Sequence, residues 1–157
     1  MLDVHSPAFA EGEDLPIRFT GTRAGGADVS PPLSWSAVPA GTLSLAVTCV
    51  DHHPVAREYL HWLVVGLPAD LPFLSEGASR SRMIPPQARE LENTSGRIGY
   101  YGASPPPGSG RHPYEFTVWA LDTSTLRLAA DGGLAGFEAA AAGHVLASGS
   151  ITGFYER

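Results

Sequence analysis

Apolar and polar residues alternate over short stretches divided by Gly and Pro, and a period of two, not 3.6, dominates the chain. Residues 17 to 20, 33 to 35, 43 to 50, 61 to 67, 114 to 121 and 147 to 154 read as strands. Residues 134 to 146 read as a helix, because Leu134, Phe137, Ala141 and Val145 fall on one face of an Ala-rich stretch. A short helical turn is predicted over residues 126 to 130. Between residues 80 and 97 periodicity disappears, which predicts a long ordered loop over one face. Helices do not alternate with strands, so the pattern predicts a mainly β protein: a Greek-key sandwich of two antiparallel sheets with one or two short helices, including a C-terminal one.

The same alternation gathers polar groups. On a strand, His112, Tyr114, Phe116 and Val118 share one face. The loop before them carries Pro105, Pro106 and Pro107, which fix φ and donate no hydrogen bond, and Gly99, Gly102, Gly108 and Gly110, which permit positive φ and close backbone approach. Such a loop makes a stiff pocket wall. Asp51-His52-His53-Pro54 follows the strand ending at Val50, and His61-Trp62 opens the next, so Asp51, His53 and His61 meet at one sheet rim. With His112 and Tyr114 entering from a neighbouring strand, one Asp, up to three His and a Tyr converge. These groups offer N–H and O–H donors tunable near neutral pH, suited to a phosphate monoester. His5, His52 and His144 read as half-exposed surface residues, and Trp62 and Trp119 as core, with Trp35 either core or at a pocket edge.

Composition narrows the function classes. A chain of 157 residues supports one domain, residues 1–157. A net charge of −6 argues against nucleic-acid binding. There is no lysine, which excludes Schiff-base chemistry, the lysine anchor of pyridoxal phosphate and the P-loop lysine. No stretch approaches the roughly 18 apolar residues of a membrane span and no leader-like segment opens the chain, so no membrane insertion and a cytoplasmic location are expected. The lone Cys49 reads as a packed core thiol. A metal-dependent hydrolase built on Asp51, His53, His61 and His112 is the alternative, since catalytic zinc takes three such ligands and a water. Against it, the spacing matches no compact zinc signature, and neither HExxH nor CxxC occurs. Gly108-Ser109-Gly110 is too short for a nucleophile elbow, so Ser104 and Ser109 read as loop hydrogen-bonders.

Several segments in order complete the picture: SPPLSW at 30 to 35, Asp51 with its loop, REYLHWLVVGLPAD at 57 to 70, GYYG with the PPPG loop, RHPYEFTVWALD at 111 to 122 and GHVLASGSITGFYER at 143 to 157. Together they resemble the phosphatidylethanolamine-binding protein family, in the bacterial and archaeal branch sometimes called Raf kinase inhibitor-like. The resemblance implies two antiparallel sheets with a small anion pocket at one end, where Asp51, His61, His112 and Tyr114 hold phosphate or a phosphorylated head group. Main-chain groups of the Gly/Pro loop complete the family pocket, which points here to Gly102 and Ser104. Departures stand out: Asp51-His52-His53-Pro54-Val55 replaces the family's D-P-D-A-P, so His53 stands where a second Asp is expected; Ala103 replaces a common Pro; Tyr59 replaces a common Trp. An inward-facing His53 makes the pocket less negative. The expectation is a non-enzymatic protein without a cofactor that binds a phosphate-bearing small molecule or phosphorylated group. The resemblance adds a kinase or protease as regulatory partner and a homodimer as the first expectation for assembly.

Overall fold

The computed structural model describes residues 1–157 and builds them into eight strands and one α-helix. In chain order these are β1 (Asp3–His5), β2 (Leu33–Ser36), β3 (Ser44–Asp51), β4 (Tyr59–Pro68), β5 (Phe73–Leu74), β6 (Arg89–Glu90), β7 (His112–Leu121), α1 (Gly133–Ala141) and β8 (Val145–Tyr155). A three-stranded sheet runs β1-β2-β5 and a five-stranded sheet β6-β4-β3-β7-β8. All pairings between named strands are antiparallel. In the larger sheet β3, β4 and β6 follow one another and β7 returns by a long connection to lie beside β3, which is Greek-key order. The expected mainly β sandwich is the architecture found.

β3 sits at the centre and all its residues are buried, because both sheet faces are covered. Leu45, Val47 and Cys49 face the smaller sheet, in a core with Trp62, Tyr100, Tyr114 and Phe116. Ala46 and Val50 face the other way, toward Leu126 and toward Phe137 and Ala141 of α1. Cys49 is a core thiol as expected; burial first, then the nearby charges of Asp51 and Glu115, push its pKa well up and keep it unreactive. Trp35 is buried and donates to Leu71 O at 2.7 Å, as a core residue.

Three local expectations need correction. Residues 17 to 20 are not a strand: Ile17–Phe19 is a 3-10 turn entered through Pro16, and Thr20 Oγ1 donates to Ile17 O at 2.7 Å, closing the turn locally. The helix stops at Ala141, well short of residue 146, because Gly143 adopts φ 81° and the chain turns back. Val145 and Leu146, read as helical, instead open β8, where Val145 pairs with Leu121. Residues 126 to 130 form no helix; the Leu128 and Ala130 carbonyls are taken by Arg89 and by the Glu92 N–H. The loop from 80 to 97 is ordered and contributes the short edge strand β6. No helix is long and apolar enough to cross a membrane.

Candidate functional site

Three strand ends meet at one edge of the larger sheet. Asp51 closes β3 opposite Tyr59 of β4 and Tyr114 of β7. Along β4 the pairing slips: Cys49 faces Trp62, yet Val50 faces Leu60, so His61 is the extra residue of a β-bulge. Strict alternation would send His61 and Trp62 to opposite faces; the bulge lets His61 line the cavity while Trp62 enters the core between the sheets. On β7, His112 and Tyr114 share the face expected of them, with Phe116 and Val118 beyond in the core.

The cavity at this edge measures about 230 Å³ and is lined by Asp51, His61, His112 and Tyr114 at its polar end. Tyr59, Tyr101, Val55, Ala56, Ser104, Pro105 and Pro106 make the walls. That space is smaller than the roughly 300–1,000 Å³ of ordinary small-molecule pockets and suits a head group of phosphate size. A larger hollow of about 760 Å³ elsewhere carries Glu11, Glu13 and Glu115, which repel an anion.

Hydrogen bonds fix Asp51, His112 and one ring nitrogen of His61. Asp51 is 3% exposed; its Oδ2 accepts from His112 Nδ1 at 2.7 Å and its Oδ1 from the His53 backbone N–H at 2.9 Å. His112 Nε2 lies 2.8 Å from Ser109 Oγ, whose single proton also reaches Pro106 O at 2.6 Å. Ser109 therefore ties the proline loop to the buried pair, the loop role expected of it. His61 Nδ1 donates to Tyr101 O at 2.6 Å, and Tyr101 N–H returns a bond of 2.9 Å to His61 O. Ser104 keeps a hydroxyl with one long bond of 3.3 Å, to Gly102 O.

Tyr114 is the buried exception. Its Oη is buried and completes no hydrogen bond, with the Asp51 carboxylate close enough to act on it. Burial, reinforced by that charge, drives the phenol pKa far up, so Tyr114 is a permanent O–H donor. Burial also holds His61 down to about 4, neutral at physiological pH. The positive charge comes from the rim: Arg97 lies over the Tyr101 ring, 4.9 Å from its centroid, and Arg97 and Arg23 both act on the Tyr59 hydroxyl.

Five of the seven expected residues line the cavity: Asp51, His61, Ser104, His112 and Tyr114. His53 does not. Its ring stacks on His112 at 3.9 Å and 10°, its Nδ1 accepts from Val55 N–H, and so it caps the turn Pro54–Ala56 while backing the His112 ring. Gly102 also stands behind the wall, its N–H spent on Asp28 Oδ1. A Cβ there would lie 2.4 Å from Gly21 N and Thr20 C, both backbone, so the glycine is needed for close approach. Gly102→Ala is expected to cost about 1–3 kcal/mol in urea unfolding and to loosen the wall. The alternative metal centre is not assembled: no three His, Cys, Asp or Glu side chains converge as a metal would require, since Asp51 and His112 bind each other and His53 caps a turn. Sequence reading missed Tyr59 and Tyr101 as walls and Asp28 as the brace behind Gly102; only the GYYG motif hinted at Tyr101.

Comparison with known proteins agrees along the whole chain. The family model described as phosphatidylethanolamine-binding protein matches residues 5–156. The UPF0098 protein YbhB of Escherichia coli is 40% identical over 151 residues, spanning 92% of this chain and 94% of that protein. The putative lipoprotein LppC of Mycobacterium tuberculosis is 36% identical over 157 residues, 99% of this chain and 72% of its own length. Among solved structures, that of E. coli YbcL, described as a member of the mammalian PEBP family, superposes with a TM-score of 0.92 at 34% identity, covering 99% of this chain and 98% of YbcL. The PEBP homologue CT736 from Chlamydia trachomatis gives 0.81 at 31% identity, covering 99% and 97%.

Proposed function

This chain belongs to the phosphatidylethanolamine-binding protein family, and from that premise we propose that its cavity binds a single phosphate group, free or on a small molecule or head group, without covalent chemistry. The observation that carries this reading is Tyr114 Oη, a buried donor with no partner. Leaving such a group unsatisfied costs about 1–3 kcal/mol, which a bound oxygen atom relieves. The small volume, the Ser104 hydroxyl and the Arg97 and Arg23 charges support an anion of phosphate size. Membership in the family supports ligand binding in general.

Tyr114→Phe separates function from folding. Removing an orphaned hydroxyl leaves stability unchanged or slightly raised, yet it deletes the donor, so affinity for methyl phosphate and O-phosphorylethanolamine is expected to fall roughly tenfold. Isothermal titration of both proteins at about pH 6 checks this, with thermal unfolding alongside. Absence of binding by the wild type, or equal binding by the variant, would sink the reading.

A further inference from the structure

A carbonyl oxygen only accepts hydrogen bonds, so the 2.6 Å contact with Tyr101 O puts the His61 proton on Nδ1. The neutral ring then carries a bare lone pair at Nε2. That nitrogen makes no bond within the protein and is not among its buried unpartnered atoms, so the lone pair opens on the cavity that His61 lines. Charging the ring is disfavoured first by burial and also by His112, although the Tyr101 bond, Asp51 and Asp28 work the other way. The other groups facing it are committed. Asp51 serves His112 and the His53 N–H, Asp28 serves Gly102 N–H and Arg80, and His112 is held at both nitrogens. Burial keeps the Tyr59 and Tyr114 phenols protonated, and the Tyr101 ring lies under Arg97.

The polar end thus offers a donor, Tyr114 O–H, and an acceptor, His61 Nε2. A fully ionised oxyanion brings acceptors only and sets an oxygen lone pair against Nε2. An oxyanion holding one hydrogen satisfies both groups. Resting on the reading of the cavity as a phosphate-group site, we infer that His61 makes it selective for oxyanions that carry a proton: phosphate and phosphate monoesters as monoanions, against sulfate and phosphodiesters, which carry none near neutral pH. The hydrogen lies between the ligand oxygen and Nε2, so a ligand drawn from the dianionic pool takes up one proton from the solvent as it binds. Monoesters lose their second proton near pH ~6, so above that pH the apparent affinity falls about tenfold per pH unit.

Calorimetric titration of the wild type near pH 7.5 with methyl phosphate, dimethyl phosphate and sulfate, in two buffers of different ionisation enthalpy, tests the inference. Methyl phosphate is expected to bind about 10- to 100-fold more tightly than the other two, with uptake of about one proton. His61→Gln, whose amide can turn an N–H toward the ligand, is expected to bring sulfate within about threefold of methyl phosphate. If that variant does not fold, the wild-type selectivity and proton count decide alone. Sulfate binding as tightly as methyl phosphate with no proton uptake overturns the inference and leaves the phosphate site standing. Failure of all three to bind overturns both.

Discussion

Asp51→Ala is expected to destabilise the protein by about 3–5 kcal/mol, because it removes one partner of a buried hydrogen-bonded pair and leaves the other without compensation. His112 is 1% exposed and its Nδ1 has no acceptor other than Asp51 Oδ2. The His53 N–H loses its acceptor as well, and with it the entry to the turn at Pro54–Ala56 that carries His53 over the His112 ring. Asp51→Asn should recover roughly half of the loss. Its amide oxygen still accepts from His53 N–H, and the imidazole can move its proton to Nε2, donate to Ser109 Oγ, and accept at Nδ1. Urea unfolding of the three proteins reads the difference directly. For a domain of this size the Ala variant should melt roughly 6–20 °C lower. Equal stability of Asp51→Ala and wild type would mean that the pair is ornamental and that the site is held by its loops.

The sheets were legible because their signal is periodic. β3, β4, β7 and β8 are long enough for alternation or a sustained apolar run to show, and their observed bounds lie within two residues of the predicted ones. β1, β5 and β6 have two or three residues each, too few for any period, and form only because longer elements present edges to them. Asp51, His112 and Tyr114 were legible for the same reason, sitting at the ends of periodic strands. His61 was found by its neighbourhood; its direction depends on a bulge, a register slip that no single strand encodes. His53 illustrates the opposite limit. Its position in the loop suggested a cavity group, but the left-handed conformations of Arg57 and Glu58 tighten the loop, and its ring is used as a cap and a backing plate. The chemistry of His61 changed too: the sequence suggests a donor to phosphate, whereas the bond to Tyr101 O makes its free nitrogen an acceptor.

That same burial gives the protein an acid-sensitive fold. His61 has its pKa held down to about 4, while an unfolded chain restores the ordinary 6.5. Between these values the unfolded state binds more protons than the folded one, so stability rises with pH across that window and is lost as pH falls through it. Above about pH 6.5 the contribution is complete, and below about pH 4 no further loss comes from this group. A gap of about 2.5 at 1.36 kcal/mol per pH unit amounts to about 3 kcal/mol, a large share of the stability of a domain this size. His52 runs in the opposite sense but weakly. Burial works against its charge, yet the hydrogen bonds to Glu58 and Glu115 outweigh it and raise its pKa, and with its side chain 37% exposed solvent screens most of the gain. Urea midpoints measured from about pH 7 down to pH 4 should therefore fall steadily in the wild type, and the His52→Gln variant should fall in the same way. His61→Asn, which can keep a donor near Tyr101 O but does not titrate, should start less stable and flatten the profile over that window. A wild-type profile already flat between pH 6.5 and 4 would show that the His61 ring takes up its proton without unfolding, and that the lone pair at Nε2 is not defended by burial.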